Sequence, residues 1–306
     1  MEKAIVTSKM TKKLRRTKSD VVFDTVTYLI LGFALIIVAY PLYFVIISSI
    51  STPAAVARGD VLFFPIGFTL DGYKAVIEHS EVMRSFSNSL MYTFVGTIIN
   101  IFVTLPAAYA LSRHDLRKRT IFVVFFMIPM YFSGGLIPTF LVVRNLGMID
   151  TIWSITVPGA LSVYNMLVAM AFFRANLSLE LLEASKLDGC TNTGFFMRIA
   201  LPLSAPIIAI LVLWYGVGHW NSYMSALIYL SSRVKWPLQL VLRTILILDA
   251  NTLAHLRDPV EVMRLRNLSE LMKYSLIIIS SAPVLLVYPF IQKHFVKGVM
   301  IGSIKG

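Results

Sequence analysis

LELLEASKLDGC (Leu179–Cys190), followed four residues later by FFMRIALPLSAP (Phe195–Pro206), places a charged, turn-forming interval between two long apolar stretches. Ser178 can cap a helix whose first turn carries Glu180 and Glu183, because the free amides and the dipole at a helix N-terminus favour hydroxyl and acidic groups. Leu179, Leu182, Ala184 and Leu187 then recur near helical spacing, and Asp188-Gly189 stops the helix. A second helix follows the turn and runs into Leu201-Pro202, where proline is tolerated close to the start of the next apolar stretch. The residues alone predict a helix-turn-helix at the inner face of a membrane. They leave two readings open: a docking surface for a soluble partner, or a passive element lying in the interface.

Outward from this hairpin the chain is apolar. Its 306 residues are 57% hydrophobic and 14% charged, with a mean hydropathy of +0.75, which fits an integral membrane protein and excludes an ordinary water-soluble domain. A hydrocarbon core of about 30 Å needs about 20 apolar residues per helix. Six segments qualify: 21–48, 86–111, 120–142, 151–173, 200–229 and 271–292.

The net charge of +12 belongs to residues flanking these segments, and no basic, aromatic-laced domain points to nucleic acid. With the N-terminus inside, the cytoplasmic segments hold 17 of the 28 basic residues and 7 of the 16 acidic ones, so the inside carries +10 and the outside +2. The positive-inside rule favours this orientation. One outer loop, 230–270, resists it with Arg233, Lys235, Arg243, Arg257, Arg264 and Arg266, but the rule weakens for longer loops. The single cysteine, Cys190, excludes an intrachain disulfide. The basic start is followed by an apolar run of full spanning length, so the first span reads as a retained anchor.

Residues 1–20 read as a basic cytoplasmic arm, either lying against anionic headgroups or simply solvated. Thr52-Pro53 opens an outer loop to about Arg84, with turns at Pro65-Ile66-Gly67 and Asp71-Gly72 and short helices between. Pro129, Ser133-Gly134-Gly135 and Pro138 break the third span. Either a pathway or hinge helix is interrupted there, or the span ends near Tyr131 and the glycines open a loop. Pro158-Gly159, Gly216 and Gly218 predict close helix packing. No internal repeat or linker divides the chain, so residues 21–292 form one membrane domain followed by a tail, 293–306.

Glu183-Ala184-Ser185, Asp188-Gly189 and Ile199-Ala200-Leu201-Pro202 resemble the "EAA" loop of permease subunits of binding-protein-dependent ABC importers. Ser185, Leu187 and Cys190 are mild departures from that pattern. The ending, Lys297–Gly306, is similar to the C-termini of maltose-type carbohydrate permeases. Ser133–Thr139, Trp220–Tyr223 and Trp236–Arg243 look most like oligosaccharide and polysaccharide-fragment permeases. The resemblance implies an all-α, six-span, type I ABC importer permease (MetI-like) architecture in a bacterial cell membrane, with both termini cytoplasmic and a coupling loop at 178–198. It also implies a second permease subunit, two cytosolic ATPase subunits that bind ATP and Mg2+, an extracellular solute-binding lipoprotein and an oligosaccharide substrate. In that setting Glu183, Ala184, Ser185, Asp188 and Gly189 couple the chain to the ATPase. Glu183 would make a charge-assisted contact, Ala184 fit a groove and Gly189 form the turn.

The chain has no Gly-x-x-x-x-Gly-Lys-Ser/Thr phosphate loop, and its five histidines are scattered without zinc-type spacing. The sequence therefore predicts neither an enzyme nor a metal site, and no cofactor in this chain. Sugar contacts would need aromatic faces and amides. Tyr164 and Asn165 in span 4 and Trp214, Tyr215, His219, Trp220, Asn221 and Tyr223 in span 5 are the candidates. Trp220 and Tyr223 have an alternative use in an interfacial aromatic belt. The outer segment Ser231–Arg266 is expected either to dock the binding protein or to be a solvated surface. An importer of a non-sugar solute, and a receptor or scaffold recruiting a soluble partner, are the alternatives to sugar import.

Overall fold

The computed structural model describes residues 17–246 and 269–287, together with 260 and 289. Every regular element among the described residues is helical. Residues 1–16 of the expected arm, most of the 230–270 loop beyond Leu246 and the tail 293–306 lie outside the described residues.

The first helix, α1 (Lys18–Ser49), starts in a capping box. The Thr17 hydroxyl accepts from the Asp20 amide, and the Asp20 carboxylate accepts from the Thr17 amide. Helix therefore begins within the stretch expected to be an arm. Only Ile47, Ser48 and Ser49 of α1 are buried, so its apolar length faces outward. The connection after α1 holds two short helices, α2 (Pro53–Ala57) and α3 (Asp71–Glu78), as the turn residues predict.

The central helix, α4 (Ser80–Ser112), begins six residues before the apolar run does. It buries Val82, Ser85, Ser89, Tyr92, Gly96, Asn100, Thr104, Ala108 and Leu111, a stripe repeating every three or four residues along its whole length. Most of these residues are small or hydroxylic, which lets neighbouring helices approach closely.

The third apolar segment is two helices, α5 (Arg119–Tyr131) and α6 (Leu136–Asn145), meeting at 112°. Gly135 forms the corner at φ +85°, a conformation open to glycine. The fourth, predicted as one span over 151–173, is corrected by the structure to α7 (Ile152–Thr156), an irregular link and α8 (Val163–Asn176). Pro158 has no amide to continue a helix, and the freed carbonyls find side-chain partners on α4. The hairpin follows as α9 (Leu179–Leu187), at 71° to α8, and α10 (Asn192–Leu203), which contains a π-helical stretch at Phe196–Ala200.

The fifth span was predicted to run from 200 to 229. Instead the chain bends by 79° at Ser204, and α11 (Ala205–Trp220) ends at Trp220, after which α12 (Met224–Tyr229) starts. Pro206 sits in the first turn of α11, where its missing amide removes no hydrogen bond. A 3-10 turn (Arg233–Lys235), α13 (Leu238–Leu246) and α14 (Ser269–Val287) complete the described chain.

Among the described residues three helices, α1, α4 and α14, are each long and apolar enough to cross a membrane. The pairs α5 with α6, α8 with α9, and α10 with α11 pass the same test only when taken together. The helices α8, α11 and α13 all pack on α4. Around its C-terminal half, Tyr109, Met166, Phe173, Phe195 and Leu211 form one core. Around its N-terminal half, Val82, Trp220, Leu238, Met272 and Leu276 form another.

Candidate functional site

The hairpin is closed by its own backbone. The Ser178 hydroxyl accepts from the Leu181 amide at 3.2 Å and starts α9. At the other end Cys190 N donates to Ser185 O and Gly189 N to Lys186 O, the paired bonds of a Schellman turn, with Gly189 at φ +75°. The Thr191 hydroxyl then accepts from Gly194 N and starts α10. Glu180 lies in the first turn of α9, while Glu183 lies one turn further on. Of the five residues expected to couple, Glu183, Ala184, Asp188 and Gly189 are exposed. Ser185 is buried, its hydroxyl donating to Leu182 O, so Ala184 is the small residue on the open face. Leu187 is 90% exposed beside them. The open face thus combines one carboxylate pair with an uncovered leucine.

Beneath α9 lies a cavity of about 210 Å³ lined by Tyr109, Arg113, Asp115, Phe173, Leu182, Glu183, Lys186 and Phe195, among others. The Arg113 guanidinium binds both Asp115 oxygens, the Tyr109 hydroxyl at 2.9 Å and the Asn192 side-chain carbonyl at 3.2 Å. Lys186 lies 3.7 Å from Asp115. The hydrogen bonds from Arg113 lower the Asp115 carboxyl to a pKa of about 2. Glu183 is outside this network and has no ionic partner among the described residues.

The aromatic and amide candidates of the fourth and fifth segments do not converge on one cavity. Tyr164 is exposed and its ring packs on Trp214 at 5.8 Å. Asn165 is buried in the first turn of α8, where its backbone N–H donates to the Ser162 hydroxyl. Tyr215 is buried, with its hydroxyl 2.7 Å from Thr104 Oγ1 and accepting from Ser162 N. Trp220 is a core residue: its indole donates to Ser280 O at 2.9 Å and stands edge-on to Phe86. Asn221 is exposed, its amide turned back on Val217 O, and Tyr223 carries Arg243 over its ring.

The residue missed from sequence is Asn100. Its amide donates to Gly159 O at 2.7 Å and Ala160 O at 2.9 Å, while its carbonyl accepts from His219 Nε2 at 2.6 Å. Gly96 makes room for that imidazole, since a Cβ there would lie 2.5 Å from it. An amide in hydrocarbon is costly unless paired. The same argument that singled out Asn165 and Asn221 applies to Asn100 and would have found it.

On the opposite face Asp150, at φ +57°, gathers the segment after α12. It accepts from Ser231 N, Ser232 N, the Ser232 hydroxyl and Lys235 Nζ, all within 3.1 Å, and these donors hold its carboxyl well below the usual range. Glu81 pairs with both arms of Arg233, and Asn88 and Tyr92 of α4 bind the carbonyls of Val234, Lys235 and Trp236. Arg233 and Lys235 are therefore neutralised within the chain. Arg257, Arg264 and Arg266 lie outside the described residues. Among the described residues no group of three or more His, Cys, Asp or Glu is placed to hold a metal ion.

No family model matches the sequence. Individual proteins do. The chain is 40% identical to Protein LplC of Bacillus subtilis (strain 168) over 96% of its own length and 98% of that protein. It is 39% identical to the polygalacturonan/rhamnogalacturonan transport system permease protein YtcP of the same organism, over 93% and 98%. A crystal structure of a bacterial ABC transporter involved in the import of the acidic polysaccharide alginate contains a chain that superposes with a TM-score of 0.83. That chain is 29% identical, and the match covers 92% of this chain and 99% of that one. Similarity of this extent, across whole chains and in both sequence and fold, marks a helical membrane transport subunit. The chain belongs to the family of sugar ABC transporter permeases.

Proposed function

We propose that the chain is one of two permease subunits of an ATP-driven importer of oligosaccharides or polysaccharide fragments. The substrate class rests on the relatives' own named substrates, which include polygalacturonan, rhamnogalacturonan, arabinooligosaccharides and alginate. In this reading the six spans are α1, α4, α5 with α6, α7 with α8, α11 and α14, while α9 and α10 lie at the cytoplasmic face, and the N- and C-termini are in the cytoplasm of a bacterium. The charge balance of +10 inside supports that orientation, and the pairing of Arg233 and Lys235 with Glu81 and Asp150 removes part of its one exception.

The observation that carries the mechanism is the open face of α9. Glu183, Ala184, Leu187 and Asp188 are presented together on a hairpin closed by its own caps. A charged rim around an uncovered leucine suits a groove on a soluble protein. We assign α9 as the coupling helix, gripped by a cytosolic ATPase that supplies the bound ATP and Mg2+. An extracellular solute-binding lipoprotein delivers the sugar, and rocking of the two permeases exposes the pathway to each side in turn. Tyr164, Trp214, Asn221 and Tyr223 are the accessible candidates for sugar contact; Asn165, Tyr215 and Trp220 act by shaping the helices that carry them.

The test is Glu183→Ala in the assembled transporter in proteoliposomes. The sugar is whichever of labelled oligogalacturonides, arabinooligosaccharides or alginate oligosaccharides the wild type takes up. The expected result is ATP hydrolysis that no longer drives uptake, in a complex that still assembles. Uptake equal to wild type would overturn the coupling assignment.

A further inference from the structure

We propose that Asp115, held by Arg113, is a positioning residue for the coupling step and fixes the angle at which α9 is presented; this rests on the reading of α9 as the coupling helix. The two limbs of the hairpin are attached unequally. Phe195 and Phe196 anchor α10, their rings packing on Tyr109 at 6.3 and 4.9 Å. The other limb, α9, turns inward only Leu182, partly buried against the core, and the small Ser185, and lies over the cavity of about 210 Å³. Its one ion pair among the described residues is Lys186 to Asp115 at 3.7 Å.

A helix fixed firmly beyond its C-terminal turn, with a cavity beneath it and one ionic restraint, can change its tilt without disturbing the aromatic anchor. Packed aromatic contacts resist such a change, since each ångström of separation forfeits much of the dispersion energy. A single partly exposed ion pair yields far more easily. Arg113 connects this restraint to both neighbours. Its side chain is 11% exposed, and it binds the Tyr109 hydroxyl of α4, the Asp115 carboxylate and Asn192 of α10 at once. A displacement of α9 against α10 is therefore passed to α4, the helix on which the others pack.

The experiment reads sugar uptake and ATP hydrolysis together in the reconstituted complex, with the same labelled oligosaccharide as above. Lys186→Met removes the ion pair and leaves the local Arg113–Asp115 pairing in place. It is expected to lower the sugar moved per ATP severalfold. Asp115→Asn is expected to do the same, the double variant to be no worse than either single one, and Asp115→Glu to restore the ratio. Glu183→Ala separates this proposal from the one beneath it. If Glu183→Ala leaves the ratio unchanged, the coupling assignment falls and the role of Asp115 with it. If Glu183→Ala lowers the ratio while Lys186→Met and Asp115→Asn do not, the role of Asp115 falls alone. Failure of both variants to assemble, without rescue by Asp115→Glu, also overturns it, because a contact that only holds the fold gives that pattern.

Discussion

Asn100 makes three hydrogen bonds at the point where the chain between α7 and α8 loses its helix: two to the carbonyls of Gly159 and Ala160, one from His219. In lipid those carbonyls have no water to turn to. Asn100→Leu should therefore lower stability by about 1–3 kcal/mol for each buried group left unpaired, seen as a drop in the melting temperature of the detergent-solubilised protein. Gly96→Ala places a methyl against the His219 ring and should cost about 1–3 kcal/mol by overpacking. The two effects should not add, because both displace the same imidazole. Trp220→Phe keeps most of the ring contact with Phe86 and loses the bond to Ser280 O. A fall in melting temperature worth about 1 kcal/mol, with the preference among sugars unchanged, is the expected outcome. A changed preference would return Trp220 to the pathway.

The hairpin is stabilised locally, so its parts respond separately. Gly189 occupies the left-handed region at φ +75°, and Gly189→Ala should cost about 1–2 kcal/mol. The change concentrates in hydrogen exchange of α9 and leaves α4 protected. The Arg113–Asp115 clasp has its own pH window. Because pairing lowers the Asp115 pKa from 3.8 to about 2, its stabilisation is fully present above pH 3.8 and is lost as the pH falls through 2. Protection from exchange at the base of the hairpin, taken relative to the intrinsic rate at each pH, should fall over that interval and lose this pH dependence in Asp115→Asn. The hairpin was legible in the sequence because its determinants are adjacent: Ser178, Gly189 and Thr191 each act within four residues of their partners. The breaks at 157–162 and Ser204 were not legible in the same way. The freed groups of the first break are served by Asn100 and Tyr215, about 60 and 50 positions away along the chain, whereas at Ser204 the hydroxyl donates to Ala200 O within the same turn; hydropathy averages over both short interruptions.

At the scale of the molecule the orientation can be read with the protein's own cysteine. Cys190 closes the hairpin and is partly accessible, so a membrane-impermeant maleimide should label it in inverted vesicles and spare it in right-side-out ones. In Cys190→Ser, a cysteine replacing exposed Val234 should show the reverse. Equal labelling from one side would refute the topology. The class of protein was legible because bilayer thickness imposes long apolar segments on composition. The dominance of α4 was not, since its stripe of Ser, Gly, Asn and Thr weakens the apolar signal where packing is closest. The first helix shows the opposite economy. Its 32 residues make a rod of ~48 Å, pinned near Ser51, with the Tyr40 and Tyr43 hydroxyls bracing it against the Leu62 and Phe63 carbonyls. It behaves as a cantilever: a swing of about 10° at the pinned end carries the Lys18 tip through about 8 Å. The thickness of the surrounding bilayer, more than any side-chain contact, then sets the depth at which Lys18 sits.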